Sequence, residues 1–248
     1  MEHKKYLKPI EPGTWGIIED TDELPPAEME ANLEYPPDMI AVYTAFRDRV
    51  YNPTSALYPS CGFDASPARV FSEVTFVDAE RGNRGCVQKL QEAGFHALKS
   101  DIKAYVPHEA HDLLILQNPT ILVEWATRHL QLGGYIIAND YHDSASELFN
   151  LADEFSLWGT INVTRDNKAT ISQNLSDLFQ RVQNAEELRQ CRPKYYAYLQ
   201  EEVRALALNR RGFNINRPFD EVLRDYFANM EEEMPYRREA DHYIFVKK

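Results

Sequence analysis

Between Ala56 and Val163 the chain alternates short apolar runs with stretches whose apolar residues recur every three or four positions. Ala56-Leu57-Tyr58 reads as a first strand, and Val74-Thr75-Phe76-Val77, rich in β-branched and aromatic side chains, as a second. Ala97-Leu98 opens a third that ends at Asp101. Asp112-Leu-Leu-Ile-Leu116 is a fourth, apolar enough to be covered on both faces. Tyr135-Ile-Ile-Ala138 is a fifth, a sixth lies near Leu157 to Val163, and His242-Tyr-Ile-Phe-Val246 is the last. Helical spacing fills the intervals. Met39, Ile40, Tyr43, Phe46 and Val50 lead into the core. Asn83 stands as the cap of a helix through Val87, Leu90 and Ala93, which Gly94 ends. Ile121, Leu122, Trp125, Ala126 and Leu130 mark the next, closed by Gly133-Gly134, and Leu148, Leu151 and Phe155 another. Three amphipathic helices are expected at about 174–190, 194–208 and 219–233.

Strands that alternate with helices imply a parallel sheet, because each return crossing needs a helix on one face. The expected fold class is α/β: a doubly wound, mostly parallel sheet of seven strands, spanning 39–248, with a helical elaboration at about 174–240. Whether Lys168 to Ile171 pairs with the sixth strand, or the helices form an insertion before the last one, stays open at this level. Residues 1–38 read differently. Six of the fourteen prolines fall in the first forty residues, among acids and with little periodicity, so an extended acidic arm is expected there.

Composition narrows the function. With 248 residues and 44% hydrophobic content the chain can bury a sizeable core. Its longest apolar runs, such as Leu113 to Leu116, are too short to cross a bilayer, so no membrane partner is expected. Cys61, Cys86 and Cys191 lack metal-type spacing and read as reduced thiols of a cytoplasmic protein, with no metal site. The net charge of −12 argues against nucleic acid as a partner. Half of that charge comes from residues 1–50, which hold 11 acids against 5 Lys and Arg. The one basic stretch, Asn209 to Arg217, reads as a solvated loop.

In an open parallel sheet, ligands bind at the carboxyl ends of the strands, where the winding reverses. Those ends are polar here. Pro59-Ser-Cys-Gly-Phe-Asp64 follows the first strand, Asp78 the second, Asp101 the third, Gln117-Asn118-Pro119 the fourth and Asn139-Asp140-Tyr141-His142 the fifth. Gly62 lets backbone approach a ligand closely. Asp78 is placed to accept from two ribose hydroxyls, since each carboxylate oxygen takes one. Asp101 suits an exocyclic amine, and Ile102 an adenine face. Each residue also has a plainer reading: a tight turn at Gly62, a helix cap at Asp78, a solvated acid at Asp101, a helix start at Asn118-Pro119 and a small filler at Cys61.

Over about Met39 to Val163, together with His242 to Val246, the chain resembles the class I S-adenosylmethionine-dependent methyltransferases. Tyr58-Pro-Ser60-Cys-Gly62-Phe-Asp64 aligns with the family's acid-x-Gly-x-Gly-x-Gly turn and keeps the central glycine. Phe76-Val77-Asp78-Ala79 is similar to the ribose motif, and Ser100-Asp101-Ile102 to the adenine motif. Leu130-Gln-Leu-Gly133-Gly134-Tyr-Ile-Ile137 is similar to the fifth-strand entry, the most specific of the four. The resemblance implies S-adenosyl-L-methionine as cofactor, bound by Tyr58, Ser60, Cys61, Gly62, Asp64, Asp78, Ala79, Asp101, Ile102 and Asn118, with Asp64 receiving the ammonium. Asn118-Pro119-Thr120 partly resembles the amine-holding motif of amino-methyltransferases. It makes Asn118 a catalytic candidate, with Asp140 and His142 as candidate bases for a hydroxyl or protonated amine.

The expectation is therefore methyl transfer to N or O of a small molecule, with an exposed protein side chain as the other acceptor class. Two alternatives stand beside it. One is a methyltransferase-like scaffold that no longer turns over. The other is an NAD-dependent oxidoreductase, which an acid ending the second strand also suits, although one glycine of three remains in its turn.

Overall fold

The computed structural model describes residues 6–11, 14–18, 32–80, 85–209, 217–229 and 234–248; for 6–11, 14–18, 202–209 and 229 it describes backbone alone. Residues 1–32 form a unit of their own. In it β1 (Tyr6–Glu11) and β2 (Thr14–Ile18) pair antiparallel, with a register break between Pro9 and Glu11. Proline has no N–H to give a ladder, which fits its place beside an irregularity. The double prolines at Pro25 and Pro26 and the helix cap expected at Asn83 lie outside the described residues, as does most of the basic stretch before Arg217.

The second unit, residues 33–248, is built on one eight-stranded sheet. Its elements are α1 (Pro37–Arg49), β3 (Ala56–Pro59), a 3-10 turn at Ser66–Arg69, β4 (Val74–Asp78), α2 (Cys86–Glu92), β5 (His96–Lys99), β6 (His111–Leu116), α3 (Val123–Thr127) and β7 (Leu130–Ala138). There follow α4 (Ser144–Asn150), β8 (Phe155–Val163), β9 (Ala169–Ser172), α5 (Ala185–Cys191), α6 (Pro193–Asn209), α7 (Phe219–Asn229) and β10 (His242–Lys247). Across the sheet the order is β5-β4-β3-β6-β7-β10-β8-β9. The five strands from β5 to β7 are mutually parallel, and β10 runs against both its neighbours. Winding starts at β3, proceeds outward through β4 and β5, then returns to the other side of β3 at β6. The crevice between the β3 and β6 tips is therefore the switch point where such sheets take ligands.

Side-chain alternation divides the core into two layers. Tyr58, Phe76, Leu113, Ile115 and Ile244 pack on one face with Tyr43 and Phe46 of α1 and Leu90 of α2. Leu57, Val77, Leu114, Leu116 and Phe245 pack on the other with Val123 and Ala126 of α3 and Leu148 of α4. Every residue of β6 is buried. A third cluster, with Leu188, Leu199, Leu223 and Phe227, holds α5, α6 and α7 together.

Three sequence expectations change. The sheet has eight strands rather than seven, because β9 adds to β8 as an antiparallel hairpin, and the helices are nonetheless inserted before β10. Gly133-Gly134 does not close a helix: α3 stops at Thr127, and both glycines lie in β7, where the register against β6 breaks between His111 and Leu113. The bulge demands them. Gly133 has φ +75°, and a Cβ on Gly134 would come within 2.7 Å of Leu130 Cδ1. The helix expected from about 174 begins only at Ala185, since Asp177 and Phe179 adopt left-handed backbone. Asn184 Oδ1 then accepts the Glu187 N–H at 2.9 Å to cap α5.

Candidate active site

The loop after β3 is held from three directions. Ser60 N–H donates to Val77 O of β4, Glu34 N–H donates to Phe63 O, and Ala65 N–H donates to Glu34 O. Residues 34–36 thus lie as a strap across the loop before α1 begins. At its apex Gly62 has φ +55°, and its N–H donates to Asp78 Oδ2 at 3.1 Å. Ser60, Glu80 and Asn118, at the tips of three strands, share this left-handed backbone without being glycine. Each such residue costs about 1–3 kcal/mol, and clustering of the cost is a mark of functional loops.

Two cavities open here and share Ser60, Gly62 and Asn118 in their walls. The smaller, of about 230 Å³, lies over the tips of β3, β4 and β5. Asp78, Ala79, Asp101 and Ile102 line it, with Ile121 and Trp125. Asp78 is half-buried, and its Oδ1 accepts Glu80 N–H at 2.7 Å. One backbone donor on each oxygen fixes the carboxylate and leaves further lone pairs on both for a ligand. Asp101 is exposed and anchored by Lys103 N–H on Oδ1, beside buried Ile102.

The larger cavity, of about 800 Å³, runs from the same loop across β6 and β7 to the β8–β9 turn and the start of β10. Tyr58, Cys61 and Asp64 line it on the loop side. Asp64 Oδ2 accepts from Tyr58 Oη at 3.0 Å and its Oδ1 from Ser66 N–H at 2.9 Å. Burial raises the Asp64 carboxyl above the usual carboxylate range against those bonds. Cys61 is buried, and burial together with the Asp78 charge pushes its thiol well up, so it fills space and carries no reactive thiolate.

The catalytic candidates are dispersed. Asn118 borders both cavities, but its Oδ1 accepts from Asn139 Nδ2 at 2.6 Å and its N–H donates to Asn139 Oδ1 at 3.0 Å. This pair ties the β6 tip to the β7 tip. Asp140 and His142 line neither cavity. Asp140 accepts from Ser146 N–H at 2.8 Å and Ser146 Oγ at 2.7 Å, which satisfies the first turn of α4, and burial raises its carboxyl. Asp143, at the N-cap, makes no side-chain cap bond. His142 is exposed with its ring against Tyr141. Among the described residues no group of three or more His, Cys, Asp or Glu is placed to hold a metal.

Sequence reasoning passed over Glu80, placed Gln117 only as part of the polar tip of the fourth strand, and placed His242 only as the start of the last strand. Glu80 is buried; its Oε1 accepts the Val87 N–H at 2.7 Å and its Oε2 pairs with Lys99 Nζ at 2.9 Å. Burial opposes its charge, but Lys99 and Val87 outweigh that and hold the carboxyl below its usual range. Gln117 and His242 are both buried in the larger cavity wall, with Gln117 Oε1 at 3.1 Å from His242 Nδ1. Gln117 follows the apolar run of β6 and His242 opens that of β10, and those positions were their only signal.

The sheet, with its switch at β3 and β6 and β10 reversed between β7 and β8, is the mostly parallel, doubly wound arrangement that the resemblance to class I methyltransferases led one to expect. Three solved structures are similar to parts of this chain. The N-methyltransferase NodS from Bradyrhizobium japonicum WM9, in complex with S-adenosyl-L-homocysteine, is 12% identical over 56% of this chain and 86% of that one, with a TM-score of 0.39. The sugar N-methyltransferase KedS8 from Streptoalloteichus sp ATCC 53650 is 16% identical over 43% of this chain and 48% of that one, TM-score 0.36. An S-adenosylmethionine-dependent methyltransferase of Thermotoga maritima, a possible histamine N-methyltransferase, is 13% identical over 55% and 82%, TM-score 0.41. No family model matches the chain, and no curated protein matches it.

Proposed function

We propose that the chain is an S-adenosyl-L-methionine-dependent methyltransferase acting on a small molecule. The observation that carries this reading is the pair of adjoining cavities at the switch point, joined at Gly62, with a fixed carboxylate, Asp78, in the smaller. The residues fit the cofactor on one physical test. A Cβ built on Gly62 would meet nothing within 4 Å, so the loop leaves open space where an adenosyl group must approach backbone. Asp78 would accept the ribose hydroxyls, Asp101 the adenine amine, and Ile102 would cover the ring face. Asp64, half-buried and already ordered by Tyr58 and Ser66, would receive the ammonium. When bound, the cofactor supplies an electrophilic methyl group on a sulfonium. The chain's own part is orientation: the Asn118–Asn139 pair and the strap at Glu34 keep the two cavity walls in register, and holding two reactants in line supplies much of such a rate.

Calorimetric titration with S-adenosyl-L-homocysteine tests the reading. The wild-type protein is expected to bind it, and Asp78→Asn, which keeps one acceptor for the loop N–H groups, to bind at least about tenfold more weakly, one lost charged hydrogen bond being worth roughly 1.5–3 kcal/mol. Binding of NAD in its place, or unchanged affinity in Asp78→Asn, would refute it.

A further inference from the structure

The larger cavity carries more charge than a methyl acceptor alone requires. Among the described residues Glu34, Asp38, Asp64 and Asp241 line it, against Arg165 as the one cationic side chain. They come from four separate places: the strap, the first turn of α1, the β3 loop and the residue before β10. Asp38 and Asp241 both act electrostatically on His242, and Asp38 on Asp64, so the carboxylates share one field. His242 adds nothing to offset them. Its burial holds the imidazole down to about 4 in spite of those two acids, and the ring is neutral near pH 7.

An independent observation lies in the same wall. Gln117 is 7% exposed, and its Oε1 is engaged by His242 Nδ1. Since an amide oxygen accepts only, the imidazole donates, and the tautomer is fixed. Gln117 Nε2 then has two N–H bonds to give and no partner among the described residues. A buried amide donor left unpaired costs about 1–3 kcal/mol, a cost that a ligand oxygen would remove. The site therefore pairs a negative field with a neutral donor.

We propose that this chamber takes, as the second substrate of the methyltransferase reading on which the inference rests, a small cationic amine that also bears a hydroxyl or carbonyl oxygen, with Asp38 and Asp241 facing the ammonium and Gln117 donating to the oxygen. Asp241 is suited to this because Val163 N–H occupies only its Oδ2, at 2.7 Å, and leaves Oδ1 free of that bond. A neutral sugar or a phenol would leave the carboxylates uncompensated, and an anion would meet repulsion from most of the wall.

Three matched probes separate the contributions: glucosamine with a cation and oxygens, glucose with oxygens alone, and cyclohexylamine with a cation alone. Binding is read by calorimetry on the full chain, with and without S-adenosyl-L-homocysteine. Glucosamine is expected to bind at least tenfold more tightly than glucose, with cyclohexylamine between them. Asp38→Asn should remove most of the preference for glucosamine over glucose. Gln117→Leu should lower glucosamine to the level of cyclohexylamine. Glucose matching glucosamine, or neither amine binding, would overturn the inference. Failure of S-adenosyl-L-homocysteine to bind while the amines still do would instead overturn the cofactor reading and leave the amine site standing.

Discussion

At the scale of single residues, Gly62 concentrates the constraints of the site. Its φ of +55° is a conformation that L side chains adopt at a cost of about 1–2 kcal/mol, and the space above it belongs to both cavities. Gly62→Ala is therefore expected to lower stability by about that amount in denaturant titration. It should also weaken S-adenosyl-L-homocysteine binding beyond what the stability loss explains, because the added methyl stands in the ligand's place. Equal loss of both would mean that the glycine serves only the turn. The sequence made Gly62 and Asp78 visible, since a glycine and an acid at consecutive strand tips sixteen positions apart are local features. Gln117 and His242 were visible as strand ends and not as a pair, because what makes them a unit is a contact across 125 positions that neither apolar run announces. Asp140 carries a duty the sequence did not announce. Its two oxygens accept the N–H and the hydroxyl of Ser146 at the start of α4.

Among the elements, strands were far more legible than helices. β6 declares itself by a run of apolar residues from Leu113 to Leu116, and β4 and β10 by β-branched and aromatic content. α3 was overextended because Leu130 continues its spacing, and only the pairing of His111 with Leu130 reveals that the strand has already begun. β9 was undecidable from sequence, because a run of four residues with only Ala169 and Ile171 apolar is too short to declare a strand. The junction of β4, α2 and β5 rests on Glu80, which spans the Val87 N–H and Lys99 from a left-handed backbone position. Lys99 is 55% exposed, so the ion pair itself is screened and the buried N–H contact dominates. Glu80→Ala should cost about 1–3 kcal/mol in denaturant titration, from the orphaned N–H at the start of α2. Glu80→Gln, which keeps an acceptor, should cost less. Equal costs for the two would place the stabilisation in the charge.

For the whole molecule, acid is the expected weak point. His111 is buried with its ring nitrogens at 2.6 Å from Ser55 Oγ and 2.9 Å from Tyr105 Oη, and burial pushes it down to about 4, as it does His242. Both rings would titrate near 6.5 in the unfolded chain. Between those values the unfolded state binds more protons, so their contribution is complete above about pH 6.5 and is lost as pH falls toward 4. The melting temperature should thus decline steadily from pH 6.5 to 4.5, and replacement of His111 by Gln should flatten part of that decline. A melting temperature constant over this interval would mean that the rings are not held neutral.

The insertion of β10 between β7 and β8 has a temporal side. While the chain emerges in order, the β3–β7 half-sheet and the β8–β9 hairpin each present a bare apolar border, and the residues that join them arrive only after three intervening helices. Exposed borders of this kind recruit strands from other molecules. The same late segment brings His242 to Gln117, so the larger cavity is completed last, whereas the smaller one has all its lining residues, Ser60 to Trp125, before β7 begins.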